Sequence, residues 1–103
     1  MAHWLPPDLT TGSVLIDVGA DAGALLIHTG ASRVGEEIEV EPLEWSGRRT
    51  HVAVLTRRVG DRIAHAAVFA SLRAGEYAVL NPDGSEAARV RVPAAGVGEL
   101  DWR

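Results

Sequence analysis

The sequence predicts an all-β protein: an antiparallel two-sheet sandwich of about seven to eight short strands, with no substantial helix. Three observations carry this expectation. Apolar and polar residues alternate with a period of two, most cleanly in Glu37-Ile38-Glu39-Val40-Glu41. Gly, Pro, Asn and Asp recur between such runs at short intervals, as they do in small all-β domains. The 3.6-residue periodicity of an amphipathic helix is hard to find anywhere in the chain. Each amphipathic strand needs a facing apolar layer, and two packed sheets supply it.

Residues 1–12 read as an extended arm, because Pro6 and Pro7 forbid regular pairing there. Residues 13–103 then form one sandwich domain. Ser13–Val18 is the first strand, and a glycine-bounded turn leads to a second at Ala24–Thr29. Glu36–Leu43 follows, with Ile38 and Val40 on the buried face and Glu37, Glu39 and Glu41 on the wet one. Pro42 ends its ladder for want of an amide proton. Thr50–Val59 and Arg62–Phe69 make a hairpin around Gly60 and Asp61. A corner at Ser71–Gly75 leads into Glu76–Leu80, and Asn81-Pro82-Asp83-Gly84 matches a type I turn position by position. Ala87–Val92 and Val97–Trp102 complete the set. The expected core includes Val14, Ile16, Leu25, Ile27, Val52, Val54, Ile63, Phe69, Leu72, Tyr77, Val79, Val90 and Val92.

Composition narrows the function. At 103 residues the chain is one domain, and 47% hydrophobic with 23% charged residues is ordinary for a soluble fold. There is no cysteine, which removes disulfides, thiolate metal sites and cysteine nucleophiles. There is no lysine either, so Schiff-base chemistry and lysine–asparagine crosslinks are excluded. A net charge of -4 argues against nucleic acid as a partner. The apolar runs are too short for a membrane span, and the first residues lack a secretory pattern. The expected compartment is the cytoplasm.

Phe69, Leu72, Ala74, Gly75, Tyr77 and Val79 resemble the strand–corner–strand signature of prealbumin-like sandwiches, such as carboxypeptidase regulatory-like and collagen-adhesin B-type domains. The likeness covers about the last third of the chain and implies fold alone. The chain departs from two better-known branches. It cannot form the adhesin crosslink, and it ends in Leu100-Asp101-Trp102-Arg103 rather than the Tyr-Arg-Gly-Ser of transthyretin-related hydroxyisourate hydrolases. The whole chain also resembles a group of small actinobacterial proteins, a likeness that implies no site.

Candidate chemistry is sparse. His28, His51 and His65 each fall on an expected strand, and imidazoles suit zinc, copper or nickel. No pair has a short ligand interval, so the alternative is a set of hydrogen-bonded rim histidines. No serine sits in a Gly-x-Ser-x-Gly elbow. Glu37, Glu39 and Glu41 share one solvent face, read as a surface balanced by Arg48, Arg49, Arg57 or Arg58, or as an electrostatic docking face. Trp4, Trp45 and Trp102 lie outside the expected centre, where they close the sandwich ends or anchor a contact. The leading expectation is a non-catalytic protein-interaction module without a cofactor, recognising a partner or a second copy by sheet-edge addition or face docking. The alternative is a metal-binding or metal-dependent protein built on the three histidines, for which zinc is the ion to test.

Overall fold

A computed structural model describes residues 21–103. The expected arm, the strand at 13–18, and therefore Trp4, Val14 and Ile16, lie outside the described residues. Seven strands follow in chain order: β1 (Ala22–Thr29), β2 (Glu37–Pro42), β3 (Thr50–Val59), β4 (Arg62–Arg73), β5 (Gly75–Leu80), β6 (Glu86–Val92) and β7 (Val97–Trp102). A single 3-10 turn, Ala31–Arg33, is the only helical element among the described residues. No helix there is long and apolar enough to cross a membrane.

The all-β character is as expected, but the strands form one sheet, ordered β6-β5-β2-β3-β4-β1-β7 and nearly closed into a barrel. The reason lies in β3, which belongs to both halves. Its first residues, Thr50–Ala53, pair with β2, and Val54–Val59 pair with β4. One long strand thus carries the sheet around a bend where two separate layers were expected. At the seam, β7 returns along β6 so closely that a side chain at Gly98 would strike the Arg91 carbonyl oxygen. Seven strands cannot alternate direction all the way around a closed sheet. The mismatch falls between β1 and β7, the one parallel pair among the described strands.

The interior follows the predicted alternation. Leu25, Ile27, Ile38, Val40, Val54, Phe69, Leu72, Tyr77, Val79, Val90 and Val92 form one buried cluster, with Val52, Leu100, Trp45 and Trp102 packed against it. Phe69 and Leu72 differ in parity yet share this core. A bulge explains it: Leu25 pairs with Phe69 and Gly23 with Leu72, so β4 spends one residue more than β1 there. The corner that follows is locked by Tyr77, whose hydroxyl donates to the Arg73 carbonyl at 2.7 Å. Trp45 meets Tyr77 edge-to-face at 5.6 Å between ring centroids, with the Arg73 guanidinium 4.6 Å above the indole. The turn at Asn81 closes as predicted, with the Gly84 amide donating to the Asn81 carbonyl at 2.9 Å.

Ile63 corrects the expected core: it is 57% exposed. Parity gives it the inward face, beside His65 and Ala67, but the barrel ends before it. Pairing with β1 stops at His28 and Ala66, and pairing on the β2 side reaches only Val54. Residues 55–65 therefore project as a two-stranded ribbon, with no layer among the described residues opposite Ile63.

Candidate functional site

The hairpin register decides what this ribbon presents. Gly60, at φ +65°, takes the first position of the tight Gly60-Asp61 turn that joins Val59 to Arg62. Val59 and Arg62 form the hydrogen-bonded pair next to such a turn, so Arg58 and Ile63 form the next, non-bonded pair. The N–H and C=O of Ile63 therefore point away from β3, and no strand among the described residues receives them. Among the described residues this is an open sheet edge, running on from where β1 stops.

A cleft of about 450 Å³ lies along that edge. Arg62–His65 form one wall, and His28 and Thr29 at the end of β1, with Glu99, Asp101 and Arg103 of β7 and its tail, form the other. The facing wall is internally hydrogen-bonded. His28 Nε2 donates to Glu99 Oε1 at 3.0 Å. The Arg103 guanidinium grips Asp101 with two bonds, Nε to Oδ1 at 2.9 Å and Nη2 to Oδ2 at 3.0 Å. These bonds, with a further one from the Arg103 amide, hold the Asp101 carboxyl down at about 2, and the nearby His28 adds a smaller electrostatic pull. The ribbon carries Arg57 and Arg58, and neither forms an ion pair among the described residues.

The three histidines do not form one centre. His28 and His65 border the same cleft, but alternation along β4 and β1 sends their rings to opposite faces of the sheet. His65 Nδ1 lies 3.2 Å from Thr56 Oγ1, on the inward face. His51 sits elsewhere, with Nδ1 3.1 Å from Glu37 Oε1. No group of three His, Asp or Glu side chains among the described residues is arranged to hold a metal ion. Thr29, the one hydroxyl on the cleft wall, donates to the Gly30 carbonyl at 3.0 Å.

The glutamate face is partly neutralised on the spot. Besides the His51–Glu37 pair, Arg49 reaches Glu39 at 3.6 Å and Glu41 at 3.5 Å. Trp45 and Trp102 are half-buried at opposite ends of the barrel, and Arg33 lies 3.8 Å over the Trp102 ring. Sequence reasoning missed the edge at Ile63 and the Glu99, Asp101 and Arg103 wall. The available signal was an isoleucine two residues past a tight turn, directly opposite an arginine. Compared with known proteins, the chain matches no family model, no curated protein and no solved structure.

Proposed function

We propose that this protein is a non-catalytic interaction module that captures an extended segment of a partner by strand addition at the open edge of β4. The observation that carries the reading is the Ile63 edge: an amide and carbonyl that no strand among the described residues receives, beside a cleft, on a residue whose large apolar side chain is 57% exposed. Exposed edges invite pairing, and protein sheets ordinarily cover or blunt them. Main-chain bonds to the edge supply affinity in this mode, and the flanking side chains supply selectivity. The cleft also lacks the nucleophile, base and orienting group of a covalent catalyst. Its Thr29 hydroxyl is committed to a carbonyl, and of its two histidines His28 is paired with Glu99 and His65 with the Thr56 hydroxyl. Kinship with prealbumin-like sandwiches belongs to the same proposal and is supported by the corner residues Phe69, Leu72, Tyr77 and Val79.

Ile63→Pro is the direct test. It deletes the amide that faces outward and removes no bond to β3, a position where proline is tolerated in sheets. The wild-type chain used as bait should recover a stoichiometric partner from native lysate, and the folded Ile63→Pro bait should not. Equal recovery by both baits, or a strictly monomeric protein with no partner, contradicts the reading. Elemental analysis and thermal shifts with zinc, copper and nickel address the metal-binding alternative. Stabilisation that grows with metal concentration and is lost in His28→Ala would favour that alternative.

A further inference from the structure

Independently of the strand-addition reading, we infer that the outer face of β1 and β4 is a docking surface for the chain's own residues 1–20. The starting point is β1, in which Gly23–Ile27 is one unbroken buried run. That is the pattern of a strand with a layer on either side. Leu25 and Ile27 enter the barrel core, so alternation turns Leu26 outward. Yet Leu26 is 0% exposed, as is Ala66 on the same face of β4.

The described residues do not supply this second layer. On β4, Leu26 pairs with Val68, which stands between Ala66 and Ala70, and these side chains are too short to arch over a leucine. On β7 its partner Glu99 shields one flank. Leu80, buried on the outer face of β5, differs in having a long glutamate on each side, Glu39 and Glu86. The described strands on which β1 packs are β4 and β7 beside it and β6 at the seam, and none of these crosses the outer face. Leu26 is buried within the single chain, so its cover is part of that chain.

Width and position identify the cover. Leu55, on the same face of β3, is 47% exposed, and the Glu99 side chain on β7 is 38% exposed. The cover is therefore two strands wide, about 10 Å at the ordinary strand spacing, which suits one segment of chain rather than a second sheet. Residues 1–20 are the part of the chain outside the described residues, and they lead directly into β1. Running back along Ala24–His28 takes about 17 Å of extended chain, and residues 1–20 span up to about 65 Å. Val14, Leu15, Ile16 and Val18 provide apolar side chains for Leu26, while Asp8 and Asp17 come without any arginine. His28 and Arg62, towards the far end of this face, each make an interaction beyond those named above. The inference assigns both to this acidic, apolar segment.

The test uses the full chain. It has no cysteine, so Ser13→Cys carries a single nitroxide spin label. In amide NMR the signals of Leu26, Ala66 and Val68 should be lost to broadening and return when the label is reduced, while those of Ala78 and Leu80, on β5, keep their intensity. A soluble paramagnetic agent should relax the Leu26 methyls of the unlabelled protein several-fold more slowly than those of Leu55. Undiminished signals at Leu26, Ala66 and Val68 in the spin-labelled chain overturn the inference, and so does equal relaxation of Leu26 and Leu55. A mixture of spin-labelled chains with isotope-labelled, nitroxide-free chains should leave Leu26 sharp. Broadening of Leu26 in that mixture assigns the face to a second copy and overturns the inference.

Discussion

Gly75 and Asp101 show how single side chains set local geometry. Gly75 has φ +148°, and a Cβ there would come within 2.5 Å of Glu44 Oε1 and 2.7 Å of the Trp45 ring. Both the backbone and the indole therefore demand glycine. Gly75→Ala should destabilise the fold by about 2 kcal/mol or more in chemical denaturation, since strain and displacement of Trp45 add. Tyr77→Phe should cost about 1 kcal/mol through its lost bond to Arg73. Burial raises the Tyr77 pKa above 10.0, against a smaller opposing pull from Arg73, so that bond persists through the neutral range. Asp101 titrates at about 2 rather than 3.8. A depressed carboxylate contributes stability above its unfolded value and loses it as pH falls towards the folded one. An NMR titration of the Asp101 carboxyl should therefore show a midpoint near 2 that moves towards 3.8 in Arg103→Gln.

At the scale of elements, strands were easier to read than their limits. Thr50–Val59 and Val97–Trp102 are found where alternation placed them, because parity and turn residues are local properties. Ile63 shows where that ends. Its parity correctly assigns it the inward face, but whether a face is covered depends on how far β1 and β2 extend, which is a matter of non-local register. The same limit hid the cleft, whose walls come from β4, β1 and β7 and meet only through pairing. The hairpin register makes a prediction of its own. Ala64 directs its amide to Arg57 across the ribbon, whereas Ile63 directs its amide outward. Ala64→Pro should lower stability by about 2 kcal/mol, through a lost ladder bond and a stranded carbonyl, while Ile63→Pro should cost much less. Thermal melts of the two variants check this, and equal losses would refute the register argument.

For the molecule as a whole, closure of the sheet is the feature that alternation could not reveal. A seven-stranded order and a parallel β1–β7 pair follow from where β7 lands, and nothing in the composition of Val97–Trp102 distinguishes that partner from another. Two glycines permit the closure. A side chain at Gly98 would meet the Arg91 carbonyl, and one at Gly23 would meet the carbonyls of Pro93 and Gly96. Both contacts are backbone, which gives way poorly. Gly98→Val should accordingly pry β7 from β6 and lower stability by about 2 kcal/mol or more. Phe69→Ala, at the centre of the cluster, should cost about 3–5 kcal/mol. Among the described strands, pairing is lacking at the seam between β6 and β7 and along the projecting ribbon, which is where the proposed contact lies.

Amide hydrogen exchange of the free chain, resolved at Ile63 and Ala64, tests that contact most directly. The account predicts that Ile63 exchanges close to the rate of an unstructured amide, while Ala64 beside it is protected by its bond to Arg57. Protection of Ile63 comparable to that of Ala64 would mean the edge is already paired, and the proposed site would be gone.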